Sequence, residues 1–218
     1  MSTDLLETLP LPQRLALSYA PRRAHGPTLA VLALDTRLAG IIRAGGEPVI
    51  AQMKLAWWRE RLAQDPAQWP LGEPLLALLG ESGLDCTCLS PLVDGWEMLL
   101  ADSLDTEGIA LFAKGRALAW VAVADAAGHH GADASVERAG RTWALADLAM
   151  NLGTQEETAK VRGAAEEEAE RQAGLPAVLR PLTVLRGLAV RALKRGATEM
   201  LDGPGAMAMA LRLGIIGR

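Results

Sequence analysis

The sequence predicts an all-α protein, and three observations lead there. Half of the 218 residues are apolar, yet there is one Tyr and one Phe, so the core is built from Leu, Ala, Val, Met and six Trp. That mixture favours helix over strand. Leu89, Leu92, Val93, Trp96, Leu99 and Leu100 share one stripe at helical spacing, the clearest case of a pattern that recurs along the chain. No strand-like alternation runs for more than a few residues, and no internal repeat is present. About ten helices joined by short loops imply a bundle, and the length suits a single domain over residues 1–218.

Each element has its own signals. Leu11 to Tyr19 reads as a short opening helix ended by Pro21. A second helix runs from Thr28, after Pro27, to Ala44, where Gly45 and Gly46 stop it. Pro48 opens a third that closes before Pro66 and contains VIAQMKLAWWRERL, Val49 to Leu62. Trp57 and Trp58 point about 100° apart on a helix, so burying both requires neighbours on two sides; an inner position is expected. Pro66 to Gly72 is a loop carrying Trp69, Glu73 to Leu79 a short helix, and Gly80 to Thr87 a connection.

Leu89 to Ser103 follows as a helix with Asp94, Glu97 and Asp105 off its apolar stripe. Ile109 to Ala127 is Ala-rich and apolar on most sides, which predicts a central helix. After a Gly128–Gly131 turn, Val136 to Leu152 makes the next helix, ended by Gly153. Residues 154–175 form a polar segment whose acidic run, Glu166 to Glu170, reads as a solvated face or a mobile stretch. Pro176 to Arg195 is amphipathic, and a last helix spans Ala206 to Ile216 beyond Gly203-Pro204-Gly205.

Composition excludes several functions. A net charge of -4 with both signs dispersed offers no nucleic-acid footprint. No apolar run approaches the roughly 18 to 20 residues a transmembrane helix needs, and the first ten residues carry Asp4 and Glu7 where a signal peptide carries cations. A cytoplasmic protein is expected, with peripheral membrane contact left open. Cys86 and Cys88 are too close for an unstrained bridge, and no second ligand pair lies nearby, so both read as incidental reduced thiols. His129 and His130 sit in a Gly-rich turn and read as solvent-exposed. Arg22, Arg23 and His25 form a small basic cluster that can meet an anion such as phosphate or a lipid head group. No catalytic triad, phosphate loop or nucleotide fingerprint is present.

LAWWRERL, then LVDGWEMLL at Leu92–Leu100, then AGRTWALADLAMNLG at Ala139–Gly153, resemble landmarks of the squalene/phytoene synthase family in order and spacing. The match runs from Tyr19 to Gly153, about two-thirds of the chain. The resemblance implies an isoprenoid-synthase-like helical bundle around a large apolar cavity. Active members are transferases of terpenoid biosynthesis that join two prenyl diphosphates, with Mg²⁺ held by two aspartate-rich motifs on facing helices. Aspartates four apart share a helix face, their hard oxygens suit Mg²⁺, and the ion neutralises the departing diphosphate.

This chain departs from the family at those positions. The stretch matching the first motif offers Ala39, Gly40 and Arg43 in place of carboxylates, and the stretch matching the second offers Asn151 and Gln155. Asp35 and Asp147 are the residual acidic candidates. A guanidinium such as that of Arg43, set about 5 Å from an incoming Mg²⁺, would repel it by roughly 6 kcal/mol at an effective dielectric near 20, about four orders of magnitude in affinity. Phe112 and Lys114 stand where active members carry tyrosines.

The expectation is therefore a pseudoenzyme with no metal and no cofactor, acting as a binding or assembly protein. One branch of the family, a mitochondrial complex I assembly factor, is similar in lacking the motifs, and bacterial relatives can serve comparably. Two alternatives stay open: an active Mg²⁺-dependent prenyltransferase in which Asp35, Asp147, Asp94 and Glu97 converge, and a non-catalytic isoprenoid or lipid carrier. The deciding feature is which side chains fill the space between the Thr28–Ala44 and Val136–Leu152 helices.

Overall fold

The computed structural model describes residues 2–131, 133–170 and 174–217. Among them every regular element is helical, as the composition predicts. The α-helices, in order, are α1 (Ser2–Thr8), α2 (Leu11–Leu17), α3 (Arg22–Arg43), α4 (Pro48–Ala63), α5 (Pro74–Glu81), α6 (Ser90–Glu97), α7 (Thr106–Ala126), α8 (Asp133–Asn151), α9 (Gln155–Ala169), α10 (Arg180–Arg195) and α11 (Pro204–Ile215). Short 3₁₀ turns at Pro66–Gln68, Cys86–Leu89, Met98–Leu100 and Ala177–Leu179 join some of them.

α7 is the axis. It packs against α8, α6 and α3, and α8 in turn carries α9 and α10. Asp105 caps its start, the Oδ1 accepting from the Gly108 N–H at 2.7 Å. Gly128, at φ 73°, ends it: the Gly128 N–H donates to the Asp125 carbonyl and the His129 N–H to the Ala124 carbonyl, both at 2.9 Å, a left-handed cap that L-residues with a side chain resist. Trp120 and Trp143 meet edge to face at 6.0 Å in the α7–α8 contact, and Trp96 and Phe112 do so at 5.0 Å between α6 and α7. Such pairs add to the burial of large apolar surfaces.

Glycine makes these contacts close. A Cβ on Gly115 of α7 would stand 2.1 Å from the Pro91 carbonyl oxygen of α6, and one on Gly140 of α8 would stand 2.7 Å from the Ala117 Cα. The segment 115–117 is therefore gripped from both sides by neighbouring backbone.

Several expectations change in detail. α3 begins at Arg22 rather than Thr28, with Pro27 inside it. The proline removes one N–H bond near the first turns, while burial of Ala24, Pro27 and Thr28 keeps the helix continuous. Leu89 to Ser103 is not one helix: α6 stops at Glu97 and tightens into a 3₁₀ turn, where Leu99 and Leu100 are only partly buried. α1 has no counterpart in the sequence reading. Of the polar segment 154–175, α9 is a helix whose Val161 and Ala165 are buried and which packs on α8, while Glu166 and Glu167 face solvent; residues 171–173 lie outside the described residues.

The largest correction concerns α4. It is an outer helix that buries Leu55, Trp58 and Leu62 and leaves Val49, Ile50, Met53 and Trp57 exposed. Both of its sides are apolar, which is why sequence periodicity predicts an inner helix, but only one side is covered.

Replacing Gly115 by Ala forces a methyl group into backbone and should lower stability by about 2–3 kcal/mol. Gly40 has nothing within 4 Å of its prospective Cβ, so Gly40→Ala should raise stability by roughly 0.5–1 kcal/mol through helix propensity. Urea unfolding of both variants checks the pair; a neutral Gly115→Ala contradicts the close α6–α7 packing.

Candidate functional site

Two helices each bury one charge, Asp35 on α3 and Arg116 on α7, and α8 adds the half-buried Asp147. The packing brings all three together. Arg116 is 2 % exposed because its neighbours Gly115 and Ala117 let α6 and α8 close over α7 at that point. Its Nη2 donates to Asp35 Oδ2 at 2.6 Å and its Nη1 to Asp147 Oδ2 at 2.8 Å. The other oxygen of Asp35 accepts from Trp96 Nε1 at 2.8 Å.

Aromatic rings enclose the same guanidinium. Its carbon lies 3.9 Å from the Trp143 ring centroid, 5.4 Å from that of Phe112 and 5.6 Å from that of Trp96. A cation held against aromatic faces away from water gains about 2 kcal/mol at the upper end. The Arg116 Nε is buried without a hydrogen-bond partner, so the cation is held by its two terminal nitrogens and by the rings.

Burial acts on both members of the inner pair. It pushes the Asp35 carboxyl above the ordinary carboxylate range, against the opposing pull of the Arg116 charge and hydrogen bond and the Trp96 N–H. Burial also works against the Arg116 charge, but Asp35 and Asp147 outweigh it and hold the guanidinium above its already high value. The arginine stays a cation at every accessible pH.

A cavity of about 500 Å³ opens beside this triad, between the start of α2, the second half of α3, the end of α8 and the turn at Thr198–Leu201. Asp35, Arg116 and Asp147 form part of its wall, with Gln13, Thr36, Arg43, Asn151 and Glu199 adding further polar groups. Its size is that of a small-molecule site.

The sequence-derived candidates are distributed as follows. Asp35 and Asp147 converge on one guanidinium. Ala39 is buried and lines the cavity, Arg43 stands exposed at its edge, and Asn151 borders it at the end of α8 while donating to the Asp147 carbonyl at 2.8 Å. Gly40 faces a different groove, between α1, α3 and α4. Gln155 is the exposed first residue of α9 and does not border the cavity. Arg22 and Arg23 are exposed in the first turn of α3, away from it.

Asp94 and Glu97 are drawn elsewhere, onto Arg59 of α4, which donates to Asp94 Oδ1 at 2.7 Å and to Glu97 Oε2. His130 contacts Asp125 on the surface. Cys86 and Cys88 are free thiols, with burial pushing the Cys86 thiol up to about 11.

Sequence reasoning missed Arg116. The signal was present: a lone arginine inside a helix read as central and apolar must find partners, and Asp35 and Asp147 are isolated acids on helices of the same kind.

The residues around Asp35 and Asp147 do not fit a Mg²⁺ ion. Both Asp35 oxygens and one Asp147 oxygen are already taken by N–H donors, and a permanent cation occupies the space between the two carboxylates. Among the described residues no group of three or more His, Cys, Asp or Glu stands together. Comparison with protein-family models, curated proteins and solved structures yields no match to this chain.

Removing the cation should expose Asp35. Its raised native pKa means that its contribution to stability is greatest below the unfolded value of 3.8 and is lost as pH rises through the native one. In Arg116→Met the two largest opposing influences vanish and the native pKa climbs further. The variant should lose about 3–5 kcal/mol near neutral pH and distinctly less near pH 4, as urea midpoints across that range will read. A deficit that does not change with pH contradicts this account.

Proposed function

We propose that this protein is a non-catalytic binding or assembly protein built on a squalene/phytoene synthase-like scaffold, without Mg²⁺-dependent condensation of prenyl diphosphates. The observation that carries the reading is Arg116. Its guanidinium lies between Asp35 and Asp147, the residual acidic candidates on the helices where the family resemblance calls for metal ligands. An internal cation there does the electrostatic work of neutralising the two carboxylates and, being covalently part of α7, cannot leave to admit a divalent ion.

The space between α3 and α8 supports the same reading. It is filled from α6, α7 and α8 by Trp96, Phe112, Arg116 and Trp143, side chains that leave no room for a long apolar tunnel at that point. The remaining cavity has carboxylates, guanidinium groups and amides in its wall, and desolvating them against a hydrocarbon chain would be costly. A protein partner in complex assembly therefore suits this fold better than an isoprenoid or lipid cargo inside the bundle.

The test combines millimolar Mg²⁺ with farnesyl diphosphate and follows melting temperature and pyrophosphate release. The expected result is no melting-temperature rise that needs both components and no pyrophosphate. A saturating ligand at a hundredfold its dissociation constant adds about 2.7 kcal/mol, roughly 5–10 °C for a chain of this size. A rise of that order with turnover would overturn the reading.

A further inference from the structure

The cavity beside the central triad is lined by polar groups that the protein itself does not satisfy. Gln13 of α2 is 5 % exposed, and its side-chain oxygen accepts from the Thr36 hydroxyl at 3.3 Å. Its amide nitrogen has no acceptor among the described residues, although the residue lines the cavity. A buried donor left unpaired costs free energy, so this one calls for an acceptor from outside the chain.

On the α8 side the unpaired groups are of the opposite kind. Asp147 gives Oδ2 to Arg116, and its Oδ1 accepts from no donor among the described residues. Asn151 spends its Nδ2 on the Asp147 carbonyl, which leaves its side-chain oxygen free to accept. The two residues are four apart and share one face of the helix. They also stand at its C-terminal end, where the helix dipole is negative and the last turn holds no basic residue. Around the whole wall, three carboxylates (Asp35, Asp147 and Glu199) face two guanidinium groups (Arg43 and Arg116), an excess of one negative charge.

We propose that this cavity binds a small organic ammonium compound that also carries an oxygen acceptor, an amino acid or an amino alcohol. The ammonium donates to Asp147 Oδ1 and the Asn151 side-chain oxygen, and the oxygen accepts from the Gln13 amide. Leu11, Met150, Met200 and Leu201 line the same space and suit an apolar body between the polar ends. A volume of about 500 Å³ admits such a molecule. The carboxylates that favour an ammonium disfavour a phosphate in the same place. The proposal rests on the reading that the cavity no longer takes a prenyl diphosphate. A melting-temperature rise that needs Mg²⁺ and farnesyl diphosphate would remove both, whereas failure to bind amines removes this one alone.

Isothermal titration calorimetry of the full-length protein tests it, with L-leucine, leucinol, putrescine, 4-methylpentanoate and pyrophosphate as probes. L-Leucine or leucinol should bind with a dissociation constant below about 1 mM, and the tighter of the two identifies an amino acid or an amino alcohol as the source. 4-Methylpentanoate, which is leucine without its nitrogen, should bind at least about tenfold more weakly. Asp147→Asn should weaken the preferred ligand by about tenfold or more. Because Asp147 also holds Arg116, two further variants leave the triad intact: Asn151→Ala, at an exposed position, and Gln13→Leu should each weaken binding severalfold. Their melting temperatures verify that they fold. Lys54→Gln on α4, away from the cavity, should leave affinity unchanged.

No binding of L-leucine or leucinol up to about 10 mM, or equal binding of 4-methylpentanoate, would overturn the proposal. So would affinity indifferent to Asn151 and Gln13 in folded variants. Tighter binding of putrescine, which offers nothing to the Gln13 amide, would overturn it in favour of a simple cation site. Tighter binding of pyrophosphate would overturn it in favour of an anion site.

Discussion

A permanent cation buried at the crossing of three helices is the constraint on which the bundle depends. Arg116 cannot shed its charge, and 2 % exposure leaves it almost no water, so the fold must bring anions to it. Asp35 supplies one from α3 and Asp147 one from α8, and each bond fixes both the rotation and the axial position of its helix relative to α7. Desolvating three charged groups costs several kcal/mol per ion. Such a triad is a poor source of net stability but a strict one of register, because any other alignment leaves a charge unpaired. The nearby glycines, Gly115 and Gly140, belong to the same constraint, since backbone approach at 2.1 and 2.7 Å to a prospective Cβ is what closes the helices over the guanidinium.

The same constraint limits the chemistry. Asp35 has no free oxygen to offer, and Asp147 shares its charge with the arginine. The polar groups that remain available to a ligand sit on the cavity wall further out, at Gln13, Thr36, Arg43, Asn151 and Glu199. No helix among the described residues is long and apolar enough to cross a membrane.

Helices were legible where a single apolar stripe met clear punctuation. Pro48, Pro66, Gly128 and the Gly203–Gly205 break each fall at or within a residue or two of an observed boundary, because proline and glycine act locally. The failures came where the deciding physics was not local. Pro27 looked like a helix start, yet burial of its neighbours carried α3 through it. Trp57 reads as an inner residue like Trp58, yet only Trp58 is covered, because periodicity reports how many faces are apolar and not how many are covered. Asp35 and Asp147 stand out in the sequence as residual acids but their partner does not, since pairing across 81 and 31 residues leaves no mark in local spacing. A lone arginine in an Ala-rich helix was the one available clue.

A double-mutant cycle between Asp35→Asn and Arg116→Met, read by urea unfolding at neutral pH, tests the central claim most directly. If the buried ion pair organises the bundle, each single substitution strands a charge or a donor, the double relieves both, and the coupling energy is about 2 kcal/mol or more. A coupling below about 0.5 kcal/mol, with the two effects simply adding, would contradict it.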